Sequence, residues 1–86
     1  MRNFTILVAA VGYIEQHLTE ELNADTVARA CYCSVSGLQK LFRLALHLSV
    51  KEYIDKRRLT EAASVLIHSG ASVTETAFRY QYNSPE

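Results

Sequence analysis

The residues with useful chemistry are gathered in one short stretch. Ser34 can open a helix on which Ser36, Gln39, Lys40 and Arg43 share one exposed face. Those side chains match the groups that duplex DNA presents. The Gln39 carboxamide can bond adenine bidentately, and the Lys40 ammonium can donate to guanine N7 and O6. Each such contact is worth about 1–3 kcal/mol of discrimination between bases. Ser34 and Val35, at the helix start, and the flexible cation of Arg43 suit phosphate oxygens instead. Other chemistries lack their residues. Cys31-Tyr32-Cys33 is a lone C-x-C, and His17, His47 and His68 stand on separate elements, so a metal site has no paired ligands. Neither a nucleophile elbow nor a glycine-rich phosphate loop is present, so neither enzymatic activity nor a cofactor is expected.

Charge first argues against nucleic acid, because nine Lys and Arg balance nine Asp and Glu in the 86 residues. The order of the charges reverses that argument. Residues 1–26 carry a net −3, residues 27–58 a net +5 and residues 59–86 a net −2. Exposed charges more than about 8–10 Å apart are screened at cellular salt, so the local basic block governs phosphate contact, not the total. Two thiols so close together fit a reducing cytoplasm better than a disulfide scaffold. No apolar run reaches the roughly 18–20 residues of a membrane span. The apolar N-terminal stretch continues at helical spacing through Ile14 and Leu18, which makes it a structured helix and not a signal peptide.

The elements that must position the candidate residues are all helical. Asn3 is placed to cap a first helix with Leu7, Ala10, Val11, Ile14 and Leu18 inward. Asn23 caps a short second helix with Val27 and Ala28 inward. Ser34 caps a third, about 35–46, with Leu38, Leu41, Phe42 and Ala45 on one face. Ser49 and Glu52 form a capping box that opens the longest helix, with Val50, Tyr53, Ile54, Ala62, Val65 and Leu66 inward and Gly70 as its stop. A second box, Ser72 with Glu75, opens another short helix to about Arg79, and Asn83-Ser84-Pro85-Glu86 reads as one more helix start. At an offset of 49 residues, 23–34 and 72–83 repeat the same pattern of polar cap, short helix, aromatic-containing turn and new cap.

The string from Val27 to Arg43, followed by Ser49, Glu52-Tyr53-Ile54, Arg58-Leu59-Thr60-Glu61-Ala62 and then Ala77 and Tyr82 to Pro85, resembles the AraC/XylS family of bacterial transcription regulators. The resemblance covers about residue 4 to the end. It implies an all-α helix-turn-helix bundle of about five helices: a first subdomain over 1–48, a linker helix over 49–69 and the start of a second, incomplete subdomain over 70–86. It also implies two reading helices in neighbouring major grooves. A linker of that length spans about 30 Å, against roughly 34 Å between successive grooves on one face. By resemblance Ser36, Gln39 and Lys40 sit where family members read bases. Arg58 matches the linker-helix arginine, either as a buried structural partner or as a phosphate contact.

Four positions depart from the family pattern. Tyr32 and Gln81 occupy the two turn glycines, His47 the glycine that closes the first reading helix, and Thr76 an aliphatic position. The second reading helix is expected to be cut short, which leaves Val73, Ala77 and Phe78 without a partner. The function expected is a cytoplasmic, sequence-specific DNA-binding regulator. Its expected partners are double-stranded DNA and, as for the family, RNA polymerase. The competing expectation is a truncated helical module that dimerises through residues 72–82 or engages another protein there, and binds DNA weakly or not at all.

Overall fold

A computed structural model describes residues 2–82. Among them it forms five helices and no strand: α1 (Arg2–Gln16), α2 (Ala24–Ala30), α3 (Val35–Leu46), α4 (Val50–Ser69) and α5 (Val73–Arg79). The all-helical class read from the sequence is the class observed. The helix start expected at Asn83 lies outside the described residues.

Four of these helices begin at a side-chain cap, which satisfies an amide that has no intrahelical acceptor. Asn23 Oδ1 accepts the Thr26 amide at 2.9 Å, and Thr26 Oγ1 accepts the Asn23 amide at 3.1 Å. Ser34 Oγ accepts the Gly37 amide at 3.0 Å. At α4 the capping box closes in both directions: Glu52 N donates to Ser49 Oγ and Ser49 N donates to the Glu52 carboxylate. At α5, Ser72 Oγ accepts the Glu75 amide at 3.0 Å. Asn3 is the exception. It lies within α1, which begins at Arg2, so it does not cap that helix.

The 49-residue repeat is a repeat of backbone geometry. Both α2 and α5 are seven residues long. Both end in the same reversal, with a left-handed residue one position beyond the cap: Tyr32 at φ 56° and Gln81 at φ 69°. In the first, Cys33 N donates to Ala28 O and Tyr32 N to Arg29 O. In the second, Tyr82 N donates to Ala77 O and Gln81 N to Phe78 O. This is the Schellman pattern, in which the residue after the cap is usually glycine because a Cβ is strained there. His47, at φ 59°, closes α3 in the same left-handed region. Each of the three non-glycine residues costs roughly 1 kcal/mol. Tyr32 is 96% exposed, so its ring recovers little of that by packing.

The core runs from Ala10, Ile14 and Leu18 through Val27, Ala28, Leu38 and Phe42 to Val50, Ile54 and Ala62 of α4. Two details differ from the helical pattern: Ala45 is exposed, and Leu46 packs partly against the core in its place. The molecule is elongated, 42 × 21 × 19 Å, with the 20-residue α4 as its longest element, packed against both α3 and α5.

Thr76 is 2% exposed, and its Oγ1 has no hydrogen-bond partner among the described residues. A buried hydroxyl without a partner costs about 1–3 kcal/mol. Thr76→Val removes the hydroxyl and keeps the branched shape, so the melting temperature should rise by about 4–8 °C per kcal/mol recovered. An unchanged or lower melting temperature would contradict that account of Thr76.

Candidate nucleic-acid interface

The elements that carry the candidate residues are α2, the 31–34 turn and α3. Val27 and Ala28 bury the inner face of α2, and Leu38 and Phe42 bury that of α3, all at 1% exposure or less. With those four fixed, the opposite face of α3 has to be outward. Ser36, Lys40 and Arg43 are exposed there, and Leu44 is 79% exposed beside them, whereas Val35, three residues before Leu38, starts the helix on the inner side. Ser34 holds the start of α3 with its oxygen and keeps its hydroxyl hydrogen for another acceptor. The amides of Val35 and Ser36, as the first two of the helix, have no intrahelical acceptor. That end of α3 is therefore rich in donors.

Of the predicted site residues, the structure brings Ser36, Lys40 and Arg43 together on this face, places Ser34 and the Val35 amide at the start of the helix, and sets two apart. Gln39 is only half-exposed, and its Oε1 accepts the Val50 amide at 3.0 Å. A bidentate contact to adenine needs the carboxamide oxygen as acceptor, so it would require that bond to break. Arg58 is 9% exposed. Its Nε donates to Leu18 O at 3.0 Å and its Nη2 to Glu20 O. Burial lowers its pKa, against the opposing pull of the Asp55 carboxylate. Of the two roles left open for Arg58, this geometry is that of the buried structural partner. Its guanidinium is committed to main-chain carbonyls and is not presented to a phosphate.

The basic block is also smaller than its charge count. Arg29 pairs with Asp25 at 2.8 Å and Lys51 with Asp55 at 2.7 Å, both one helical turn apart. Arg57 grips Glu15 through two bonds of 2.8 Å and reaches Glu61 at 3.3 Å. Among the described residues of the block, Lys40, Arg43 and Lys56 remain exposed and outside any ion pair. Arg43 and Lys56 both lower the pKa of the Glu52 carboxylate, after the larger effect of its bonds to Ser49. Both cations therefore lie within electrostatic reach of Glu52, in the first turn of α4. Sequence reasoning passes over Lys56, although a signal for it exists. The acid one turn before it, Glu52, is the residue that closes the Ser49 capping box, which leaves the ammonium without a dedicated partner.

Cys31 and Cys33 are free, half-buried and packed partly against the core. Burial, with a smaller contribution from Cys33, raises the Cys31 thiol pKa and makes it a poor nucleophile. Among the described residues no helix is long and apolar enough to cross a membrane.

Residues 27–86 match a family model described as a helix-turn-helix domain. The transcriptional activator AarP of Providencia stuartii is 32% identical over 82 residues, 95% of this chain and 61% of AarP. An uncharacterised regulator from the cgkA 5′ region of Pseudoalteromonas carrageenovora is 35% identical over 82 residues, 95% of this chain and 48% of its own. The transcriptional activator RhaS of Escherichia coli (strain SE11) is 33% identical over 69 residues, 80% of this chain and 25% of RhaS. The chain belongs to the AraC/XylS family of helix-turn-helix transcription regulators. It spans 61% or less of the length of these relatives. No solved structure gives a significant match.

The Glu15–Arg57 pair joins α1 to α4, and it makes the frame sensitive to acid. Its hydrogen bond to Arg57 is the main reason the Glu15 carboxyl lies below its ordinary value of 4.5, against a smaller opposing effect of burial. A lowered folded value means the pair stabilises the fold above the ordinary carboxylate range and loses that contribution as pH falls through the lowered value. The two side chains are 28% and 35% exposed for Arg57 and Glu15, so the contribution is at most about 1 kcal/mol. Glu15→Gln should lower stability by that much at pH 7 and converge with the parent chain as the pH falls below the ordinary carboxylate range. Parallel stability curves from about pH 7 to about pH 3 would contradict the assignment.

Proposed function

We propose that this chain is a sequence-specific DNA-binding domain of a transcription regulator, with α3 lying in the major groove. Ser36 and Lys40 read base edges in this proposal, while Ser34, the Val35 amide and Arg43 hold phosphates. Lys56 extends the phosphate contacts onto α4. The observation that carries the reading is the chemistry of the outward face of α3. It holds donors and cations outside any ion pair, next to a helix start with free amides, on a helix whose other side buries Leu38 and Phe42 completely. Arg58 and Gln39 have no direct DNA contact in this scheme.

AarP and RhaS are both named as activators, and activation acts through the transcription machinery, so RNA polymerase is the second partner proposed. Val73 and Phe78, each 67% exposed, offer a surface for self-association that would accompany DNA binding and not replace it.

The test is a titration against duplex DNA over a range of salt. Lys40 and Arg43 are exposed and outside ion pairs, so Lys40→Ala with Arg43→Ala should leave the melting temperature nearly unchanged. The double variant should bind about tenfold or more weakly. The slope of log affinity against log salt should fall by about 0.9 for each phosphate that is no longer neutralised. If neither affinity nor slope responds, α3 is not the DNA-binding element.

A further inference from the structure

We infer that Gln39 is a positioning residue, which sets the aim of α3 against α4 and does not select a base. The inference rests on the DNA-reading role proposed for α3, and its motivation is the chemistry at the start of α4. The first amides of a helix have no intrahelical acceptors. At α4, Ser49 Oγ takes the Glu52 amide and Ser49 O takes the Tyr53 amide at 3.0 Å. The first amide, that of Val50, is beyond the reach of that cap. Val50 is fully buried, so water is no substitute. The acceptor comes from the other helix: Gln39 Oε1, at 3.0 Å and 11 residues earlier in the chain.

A second contact repeats the connection three residues further along both helices. Phe42 meets Tyr53 edge to face, with ring centroids 5.6 Å apart and planes at 76°. One contact point between two helices leaves rotation about it free, whereas two points one turn apart fix it. The link between the helices is only His47, Leu48 and Ser49, with His47 left-handed. The hydrogen bond and the ring contact together clamp the α3–α4 angle.

The same bond changes what Gln39 can recognise. With Oε1 occupied, only Nε2 remains, and it can only donate. Purine N7, guanine O6 and thymine O4 are all acceptors in the major groove, so a lone donor discriminates poorly among base pairs. Removing the carboxamide should therefore weaken binding to all sequences alike.

Two measurements test this. The first, without DNA, is amide hydrogen exchange at Val50 in the parent chain, in Gln39→Met, which keeps the length but has no oxygen acceptor, and in Gln39→Glu, which keeps one. Val50 exchange should accelerate about tenfold in the methionine variant and stay protected in the glutamate variant. The second is selection from a randomised duplex pool with the parent chain and Gln39→Met. Both should enrich the same sequence, with affinity lower by about two- to tenfold in the variant. The inference is overturned if Val50 protection is unchanged in Gln39→Met, or if that variant enriches a different base at one position. A parent chain that enriches no sequence overturns the DNA-reading role itself, and the Val50 exchange still decides whether the clamp exists.

Discussion

Three consecutive main-chain carbonyls, those of Leu18, Thr19 and Glu20, hold the two halves of this molecule together. Arg58 on α4 donates to the first and third, and Gln81, at the turn after α5, donates to the second through Nε2 at 2.8 Å. The donors lie 40, 62 and 38 residues from their acceptors. Carbonyls in a loop between helices need partners when water is excluded, and a buried arginine needs acceptors for its own donors. Each requirement meets the other. Removing the guanidinium would take the donor from two carbonyls and leave Arg57 as the remaining polar tie, among the described residues, between α4 and the end of α1. Gln81 also gains a partner from a position where its left-handed backbone is a cost. A glycine there would relieve the strain and lose the bond to Thr19.

This constraint explains why so few of the basic residues are available to a ligand. Arg57 and Arg58 are adjacent on α4, and both face the end of α1, one towards Glu15 and the other towards the carbonyls. They fasten the linker helix to the three-helix unit, and with Gln39 and Phe42 they fix the direction in which α3 points. The cations left over, Lys40, Arg43 and Lys56, are exposed and outside the ion pairs among the described residues. Preorganisation of this kind reduces the ordering cost when a rigid partner binds. A neutral chain can therefore present a cationic face, because Glu52 is held in a cap while Glu15 and Glu61 are held by Arg57.

Local features of this chain are far more legible in its sequence than distant ones. Asn23, Ser34, Ser49 and Ser72 read as caps because capping depends on residues three positions apart. Tyr32, His47 and Gln81 stand where the family resemblance implies glycine, and all three backbones are left-handed. Thr76, the polar residue at an aliphatic position, is the one with an unpaired buried hydroxyl. Gln39 and Arg58 carry the opposite lesson. Residue type and helical spacing suit Gln39 to DNA, and the resemblance leaves Arg58 between a buried partner and a phosphate contact; their actual partners lie 11 and about 40 residues away, where no local pattern reaches. The pairing of Arg29 with Asp25 and of Lys51 with Asp55 follows from their four-residue spacing, a local signal that already shrinks the basic block. Asn3 shows the limit of capping rules at a chain end, since the helical turn there simply includes it.

A rigidly held α3 that meets DNA with its outward face is the centre of this account. Mapping amide and side-chain signals of the labelled chain during titration with duplex DNA tests it most directly. The perturbed residues should be Ser34, Val35, Ser36, Lys40 and Arg43, with Lys56 on α4, while Leu18, Arg58 and Val50 keep their signals because the frame does not move. Perturbations centred on Val73 and Phe78, or large shifts throughout the Leu18–Arg58 junction with none along α3, would contradict it.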